Sequence, residues 1–504
     1  AKCEYEFFML ICENLCENSV KMIFSMLCYI VFGSIVIGFC YLTVQFSYWW
    51  RKKVPFVGLK FPFIFGSISL DKHLALQFAD FYQSNRRDQP IIGFFLMDKP
   101  CCLMIDRLMN VTRCILTEDF KYFRNRCMYN NEKDDPLSVI LGSLEHDKWK
   151  QLRPKLTPAF TSAKMKRIFP IMCAVGDKLV DGLKKKIIST KNQVEIRDSF
   201  SQFATNVIGT VAIGIEFGTK SQEMAKKAMK PHLSHWKKLL TIAHPNFARL
   251  FRIRKHSKEV SDFFMNVFQQ EIERRQKSQT NVPRNDYLQI LIESELTTQE
   301  ISAFAYDLLS AGYGDSTATL SYCLYELSLP ENKNIQEKAR TEISSILEQH
   351  NGLLTYDALN EMVYCKQIIK ETVRKHPVAG ILTRIATKPY KVPNTNLTIP
   401  RGMCVFIPTF AIHHDEQFYP RPEEFIPERF SQDVSPREYL PFGDGPRKCI
   451  GFRFAELLIH VGLVSFLQNF KFSTCNRTQI PIKYSTTKNT LVPNDGIWLD
   501  VQQI

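Results

Sequence analysis

The stretch from Met22 to Trp50 carries no charged side chain, and this run constrains the fold more than any other part of the sequence. It is rich in Ile, Val, Leu, Phe and Met, and a helix of about 20 such residues spans the hydrocarbon core of a bilayer. A basic cluster at 51–53 follows it, whereas four Glu residues precede it. Because positive charge collects on the cytoplasmic side of membranes, we predict a transmembrane anchor over residues 22–50 and a cytoplasmic remainder.

A cleaved signal peptide is the main alternative to this anchor. The apolar run is too long for one, and no small-residue cleavage pattern clearly ends it before the basic cluster. Because the chain begins with Ala1, we expect residues 1–21 to be a non-native or lumenal extension and Met22 to be a candidate start. Residues 51–67 alternate Pro and Gly with apolar side chains and predict a stiff hinge, which leaves residues 68–504 for the folded domain.

The composition is that of an ordinary globular protein. A chain of 504 residues with 45% hydrophobic and 23% charged residues can bury a large core. The net charge of +14 favours an acidic partner or an anionic membrane surface. We expect no nucleic acid, because Lys and Arg are spread along the chain and form no nucleic-acid-binding motif. The 15 cysteines lack disulfide or zinc-site spacing and indicate reduced thiols.

Hydrophobic periodicity predicts a mainly α domain with small β-sheets. Helical patterns cover residues 148–160, 165–186, 262–276, 298–329, 332–348 and 356–375. Strand-like runs cover residues 91–95, 383–392 and 403–407. Residues 235–255 mix apolar and cationic side chains, which is equally typical of a segment dipping into a membrane interface and of an amphipathic helix packed on the core.

The string PFGDGPRKCIG, from Pro441 to Gly451, predicts a turn that presents one thiol. Its glycines and proline permit a tight loop whose backbone amides can point at the sulfur. The helical run that follows, 452–467, places its positive N-terminal end near Cys449. Both features favour the thiolate form. A single cysteine in a Gly-rich turn is more often an inert buried side chain, but several positions here fit one pattern.

That pattern, F-x-x-G-x-R-x-C-x-G, resembles the heme-binding signature of the cytochrome P450 family, with matches at Phe442, Gly445, Arg447, Cys449 and Gly451. The resemblance implies the cytochrome P450 fold, with heme b (iron-protoporphyrin IX) as cofactor and Cys449 as the thiolate ligand of its iron. Phe442, Arg447 and Gly451 are expected to contact the heme, with Arg447 on a propionate. The resemblance runs from about residue 54 to the C-terminus and is strongest to the insect xenobiotic-metabolising branch.

Two further motifs resemble heme-propionate contacts of the same family. Trp149 and Arg153 stand at i and i+4, so an indole N–H and a guanidinium can converge on one carboxylate. This resembles the family's W-x-x-x-R helix. Arg384 falls where the family carries another propionate-binding arginine. Taken alone, Trp149 and Arg153 would more often be a core tryptophan beside a solvent-facing arginine.

A structural brace is implied by two other strings. Glu371 and Arg374 form an E-x-x-R pair on one helix face, and Arg429 lies in the string Pro-Glu-Arg-Phe. These resemble the family elements in which an acid and two arginines form a buried brace. We therefore expect the three residues to hold the loop below the heme.

The distal helix departs from the family pattern. Members usually carry A-G-x-(D/E)-T, in which an acid and an alcohol relay the protons that monooxygenation consumes. Here the string SAGYGDSTATL puts Gly314 at the acid position and Asp315 at the alcohol position. We expect Asp315 to relay protons through water, or a local bulge to restore an Asp315–Ser316 relay, since one residue turns a helix by about 100°. The alternative is a buried Asp315 capped by neighbouring hydroxyls, without a chemical role.

The predicted function is insertion of one oxygen atom from O2 into an apolar small molecule, either a xenobiotic or an endogenous lipid or hormone. The resemblance implies electrons from a separate NADPH-cytochrome P450 reductase, a small electron-donating cytochrome as a further partner, and attachment to the endoplasmic reticulum membrane. The reductase is expected on a basic surface around Lys148, Lys150, Arg447 and Lys448. Substrate contacts are expected within residues 125–142, 306–319, 378–382 and 488–493.

Two alternatives follow from the departure at Gly314 and Asp315. One is a heme-thiolate isomerase or dehydratase that rearranges an oxidised lipid without external electrons. The other is a heme-binding protein that has no turnover.

Overall fold

The computed structural model describes residues 2–85, 89–106, 108–215, 217–228, 230, 232–277, 286–432, 437–488 and 490–504, with the backbone alone for 2–20, 23 and 212. Helices dominate this part of the chain: α1 Lys2–Phe46, α2 Tyr48–Arg51, α3 Leu74–Ser84, α4 Asn110–Arg113, α5 His146–Leu156, α6 Ser162–Thr190, α7 Ile196–Val207, α8 Thr219–Ala228, α9 His235–Ala243, α10 Pro245–Leu250, α11 Lys258–Lys277, α12 Tyr287–Ile292, α13 Thr298–Ala311, α14 Thr317–Ser328, α15 Lys333–Gln349, α16 Tyr356–Glu361, α17 Val363–Lys375, α18 Thr409–His413 and α19 Phe452–Asn469.

The strands form small sheets. They are β1 Ile91–Leu96, β2 Lys99–Met104, β3 Gln193–Glu195, β4 Leu382–Ile385, β5 Tyr390–Lys391, β6 Thr398–Ile399, β7 Cys404–Ile407, β8 Phe470–Thr474 and β9 Trp498–Gln503. The largest sheet has the order β1-β2-β7-β4, in which β2 and β7 are parallel and the other pairs antiparallel. Sheets β3-β9-β8 and β5-β6 are antiparallel. The predicted fold class, mainly α with small sheets, is confirmed.

The helical core is centred on α14. Every residue of this helix is buried, as expected of a helix surrounded by others. Helix α19 packs beside it, and a Cβ placed on Gly462 would lie 2.5 Å from the Leu320 side chain, so a larger residue here would displace Leu320. A second buried cluster covers the β1-β2-β7-β4 sheet.

The N-terminal helix α1 contains a span, Phe24–Phe46, that is long and apolar enough to cross a membrane, with a mean hydropathy of 2.2. Its side chains are mostly exposed, whereas Trp49, just beyond it, is fully buried. The Trp49 indole donates a hydrogen bond to the carbonyl of Phe94 at 3.1 Å. The chain that follows the apolar span therefore packs against the sheet of the folded domain and is hydrogen-bonded to it through Trp49.

The helix expected over 298–329 is divided into α13 and α14 by a π-helical turn, and two further predicted elements are interrupted. The helix expected over 356–375 breaks at Met362, because the Glu342 carboxylate accepts the N–H groups of Tyr364 and Cys365, at 2.7 and 2.9 Å, and so caps a new helix, α17. The strand expected over 383–392 is two strands, β4 and β5, because Thr387 leaves the sheet and donates its N–H to the Tyr122 carbonyl.

Candidate active site

The cysteine loop connects a short 3-10 turn, Gly445–Arg447, to the start of α19. Gly443 and Gly445 both have left-handed backbones, with φ of 70° and 69°. A Cβ on Gly445 would collide with the Leu116 carbonyl, so the loop requires glycine here. The N–H of Cys449 donates to the Phe442 carbonyl at 2.9 Å and closes the loop.

The Cys449 side chain faces a recess inside the protein. It is exposed to accessible space, yet burial is the largest cause that raises the pKa of its thiol. The Gly451 amide and the guanidinium groups of Arg126 and Arg153 oppose this effect, whereas the Asp315 carboxylate adds to it. A thiol in this setting becomes a thiolate when a cation binds it, because the metal charge favours the deprotonated ligand.

Buried arginines surround the cysteine loop. Arg447 is 1% exposed, donates to the carbonyls of Arg124 and Leu144 at 3.1 and 2.8 Å, and lies 4.3 Å from the centre of the Trp149 ring. Arg384 is equally buried, and its Nε has no hydrogen-bond partner.

Two more arginines approach the loop backbone. Arg153, on α5 like Trp149, donates to the Lys448 carbonyl at 2.8 Å. Arg126 donates to the Arg447 carbonyl. Arg126 was not singled out from the sequence, because it belongs to no motif and reaches the loop only through the fold.

The four arginines bring several positive charges close together. Burial, together with the neighbouring guanidinium charges, lowers the pKa of Arg384 and Arg447 to about 9. Among the described residues, none of the four arginines is in an ion pair, although unpaired buried charge is costly. A cluster of this kind fits a bound group that brings its own carboxylates, such as the two propionates of heme.

Arg447 is not part of a docking surface. Its guanidinium is enclosed by carbonyls and by the Trp149 ring, so the prediction that it contributes to the reductase-facing surface is wrong. Lys148 and Lys150 are exposed on α5, and Lys448 is partly exposed.

The three residues expected to form a brace are in contact. Both Glu371 oxygens accept from Arg374, at 2.7 and 2.8 Å, and one also accepts from Arg429 at 3.3 Å. Arg374 donates to the His413 carbonyl at 2.9 Å, and the His413 ring accepts the N–H of Leu440 at 2.9 Å. The acid and its arginines therefore connect α17 to the chain just before the cysteine loop.

The distal helix is interrupted opposite Cys449. A π-helical turn, Gly312–Ser316, separates α13 from α14 and provides the expected local bulge. The Asp315 carboxyl faces accessible space, but burial and the charge of Asp307 raise its pKa to about 6. The Asp315 charge also raises the pKa of the Cys449 thiol, so the two groups lie within electrostatic range of each other, and both residues are exposed to accessible space.

The Ser316 side chain faces a different cavity from the one expected for a relay with Asp315. It is buried and lines a small cavity with Phe203, Leu320 and Leu458, between α7, α14 and α19. Among the described side chains, none donates a hydrogen bond to the Asp315 carboxylate, and the Thr319 hydroxyl donates to the Asp315 backbone carbonyl instead, at 3.0 Å. The placement supports neither an Asp315–Ser316 pair nor a carboxylate capped by hydroxyls.

A second acid lies on the same helix face. Asp307, two turns before Asp315, accepts the Leu141 N–H at 3.2 Å, and burial raises its pKa to about 6. Lys255 and Arg126 oppose this shift. Asp307 lies inside the predicted contact range 306–319, but no sequence motif singles it out within that range. Asn489, in the range 488–493, lies outside the described residues.

A cysteine at the start of a helix, beneath a recess bordered by unpaired arginines and crossed by an interrupted helix, defines a heme-thiolate site. The sequence model of cytochrome P450 matches residues 56–500, and the chain belongs to this family, whose members bind heme b.

The relatives are insect proteins. The chain is 37% identical to probable cytochrome P450 6a20 of Drosophila melanogaster, over 94% of this chain and 99% of the relative. It is 36% identical to cytochrome P450 6a2 of the same species, over 91% and 96%, and 32% identical to cytochrome P450 6A1 of Musca domestica, over 91% and 94%. The resemblance to the insect branch is confirmed, and family membership supports an oxygenase-type oxidoreductase.

Proposed function

We propose that this protein is a monooxygenase that inserts one atom of O2 into an apolar small molecule, while the other atom leaves as water. The observation that carries the proposal is that the Cys449 thiol and the Asp315 carboxyl are both exposed to accessible space and lie within electrostatic range of each other. Heme bound with Cys449 as its thiolate ligand would supply the activation of dioxygen. Trp149, Arg153, Arg384 and Arg447 would hold its propionates, with Arg126 as a further donor, and Phe442 and Gly451 would lie against its ring.

Asp315 is the proposed proton donor. A carboxyl whose pKa is about 6 holds a proton for part of the time near neutral pH and releases it readily. Its oxygens face the recess, where water can carry the proton onward from Oδ and return another. Asp307, on the same face, raises the pKa of Asp315 and so favours the protonated donor.

The electrons are proposed to come from a separate NADPH-cytochrome P450 reductase, with a small electron-donating cytochrome as a second partner. Lys148 and Lys150 are exposed on α5, the helix whose Arg153 donates to the Lys448 carbonyl beside Cys449. An acidic partner that docks here would approach the thiolate side of the site.

We further propose that α1 anchors the protein in the endoplasmic reticulum membrane and leaves the domain in the cytoplasm. The exposed apolar side chains of the span support insertion, and the basic residues 51–53 support this orientation. Exposed Trp236, Phe247 and Phe251 near α9 and α10 add a second apolar surface.

Reconstituted turnover tests the proposal. The full chain is expressed with the reductase, and an alkoxycoumarin is supplied as an apolar probe under heavy-isotope dioxygen. We expect a product that carries one labelled oxygen and requires both NADPH and the reductase. Cys449→Ser, the matched control, should give no product.

Two outcomes would contradict the proposal. Rearrangement of a lipid hydroperoxide without NADPH, with no labelled product, would identify an isomerase or dehydratase. A thiolate-type spectrum of the heme without either reaction would identify a heme-binding protein that has no turnover.

A further inference from the structure

The chain folds back on itself near the C-terminus, in residues 484–488 and 490–493, which we call the C-terminal hairpin. Tyr484 and Pro493 pair across its two sides as an antiparallel bridge. Ser485 donates its N–H to the Val492 carbonyl at 2.9 Å. Part of the hairpin belongs to a range in which substrate contacts are predicted, so the bonds that fix its position bear on how a substrate fits.

One hydrogen bond joins the C-terminal hairpin to the distal helix. Tyr322 of α14 is fully buried, and its hydroxyl donates to the Leu491 carbonyl at 3.0 Å. Tyr322 follows Asp315 by seven residues, which is about two helical turns, so both side chains leave the helix on the same face. The C-terminal hairpin is therefore attached to the face of the distal helix that carries Asp315.

A second connection runs through a buried histidine. The His376 Nε2 lies 2.6 Å from a carboxylate oxygen of Glu326, one turn after Tyr322 in α14. The Lys375 ammonium lies 3.0 Å from the same oxygen. Because a carboxylate only accepts, Nε2 donates to it, and Nδ1 accepts the Tyr484 hydroxyl at 2.8 Å. The Tyr322 and His376 rings stack with their centroids 4.7 Å apart, so the two connections form one unit.

The C-terminal hairpin also contacts the chain that leads to the cysteine loop. The Leu491 N–H donates to the Val378 carbonyl at 2.9 Å. Four residues further along, the Leu382 side chain lies beside the cysteine loop, where a Cβ on Gly443 would be 3.6 Å from it. Residues 378–382 therefore extend from the hairpin to the cysteine loop, and the hairpin is joined to elements on both sides of the heme site.

We propose that Tyr322 and Tyr484 are positioning residues that set how far a ligand can extend from the heme iron. Their hydroxyls fix the C-terminal hairpin and residues 378–382 against the distal helix, and neither hydroxyl touches the ligand. The consequence for the site of oxidation in a substrate rests on the proposed monooxygenase function. The effect on ligand binding requires only that heme is bound.

Loss of both hydroxyls would loosen the C-terminal hairpin without detaching it. The Leu491 carbonyl and the His376 Nδ1 would lose their hydrogen-bond donors, which removes the fixed spacing to α14. The hairpin would stay attached where the His73 ring donates to the Lys488 carbonyl at 3.1 Å. The boundary of the ligand site would therefore move outward while the fold remains.

A series of 1-alkylimidazoles, from methyl to dodecyl, tests the proposal without turnover. The imidazole nitrogen binds the heme iron, so the chain length at which affinity stops rising measures the space that the hairpin leaves. Each compound is titrated into the full-length heme-loaded protein, and the difference spectrum is recorded. In the double variant, Tyr322→Phe with Tyr484→Phe, we expect chains beyond the natural limit to bind about tenfold more tightly, because about two further methylene groups become buried. The affinity for 1-methylimidazole should not change.

Tyr439→Phe is the matched control. The Tyr439 hydroxyl also donates to a backbone carbonyl at 3.0 Å, that of Lys370, but it does not contact the C-terminal hairpin. This variant should leave the whole series unchanged. The two single variants, Tyr322→Phe and Tyr484→Phe, should each shift the limit in the same direction and keep the test available if the double variant does not fold.

An unchanged chain-length limit in the double and single variants would overturn the proposal, as would an equal shift in Tyr439→Phe. A natural protein whose affinity rises without limit up to dodecyl would also overturn it. With n-decane and the reductase, the double variant should change the ratio of the hydroxylated positions. A shifted limit without any oxygenated product would contradict the proposed monooxygenase function and leave the positioning role standing.

Discussion

Asp315 is the residue on which we propose that the oxygen chemistry of this protein depends. It occupies the position where the family usually has an alcohol. It lies within electrostatic range of Cys449, and among the described side chains no hydroxyl donates to its carboxylate. A carboxyl whose pKa is about 6 is a far stronger acid than an alcohol and releases its proton to water more readily. We therefore propose that Asp315 compensates for the missing acid at Gly314.

Replacing Asp315 with Asn should slow NADPH-dependent product formation by about 100-fold or more, the usual contribution of a positioned acid. The heme spectrum should remain normal, because the Asn side chain keeps the size of Asp. Reductase-supported turnover and peroxide release are the quantities to measure. Product formation at the original rate would show that Asp315 carries no essential proton.

The pH dependence of kcat tests the same role of Asp315, because the direction of the change can be predicted. Because the pKa of Asp315 is raised to about 6, its protonated fraction falls as pH rises through that value. We expect kcat to fall on the alkaline side of about pH 6 and this limb to disappear in Asp315→Asn.

At the scale of elements, the brace and the cysteine loop hold the thiolate side of the site. The sequence predicted both, because each is encoded by a short local string. It could not predict Arg126, which reaches the loop from a distant segment, or the break at Met362, which depends on Glu342 in a different helix. It also could not place Ser316, because the π-turn decides which side of the helix that residue faces.

Replacing Glu371 with Gln should lower the free energy of unfolding by about 3–5 kcal/mol, because it leaves Arg374 buried without a counter-charge. Urea unfolding of the heme-loaded protein in detergent measures the change. Glu428→Gln removes the exposed pair with Lys338 and should cost less than about 1 kcal/mol. Equal decreases in the free energy of unfolding in the two variants would show that the buried brace stabilises the protein no more than an exposed ion pair does.

Replacing Gly445 with Ala should destabilise the cysteine loop by about 1–3 kcal/mol and reduce heme retention, because its left-handed backbone and the Leu116 carbonyl leave no room for Cβ. The control is Gly182→Ala in α6, where no atom lies within 4 Å of the new Cβ; it should be neutral or stabilising by up to about 1 kcal/mol. Heme content after gel filtration compares them. Full heme retention in the Gly445 variant would argue against a fixed loop.

At the scale of the whole molecule, the N-terminal apolar span and α9 meet on the sheet side of the domain. The apolar span ends just before Trp49, which is buried against the sheet, and α9 contributes Leu239 to the same cluster. Residues 235–255 were predicted to be either membrane-facing or packed on the core. Helix α9 packs on the core through buried Leu239, while Trp236 is 43% exposed, and contact with a membrane stays a prediction.

Protease treatment of sealed microsomes should digest the folded domain, since the basic residues after the span keep it on the cytoplasmic side. Immunoblotting with antibodies to the C-terminus measures the loss, and a lumenal marker protein serves as the protected control. A C-terminus that survives until the vesicles are opened with detergent would reverse the proposed topology.

The account rests most directly on Cys449 as the ligand of a heme iron. The carbon monoxide difference spectrum of the reduced full-length protein measures this ligation. We expect the thiolate-type band in the natural protein and its loss in Cys449→Ser at equal protein concentration. A natural protein that binds heme without that band, or a Cys449→Ser protein that keeps it, would contradict the account.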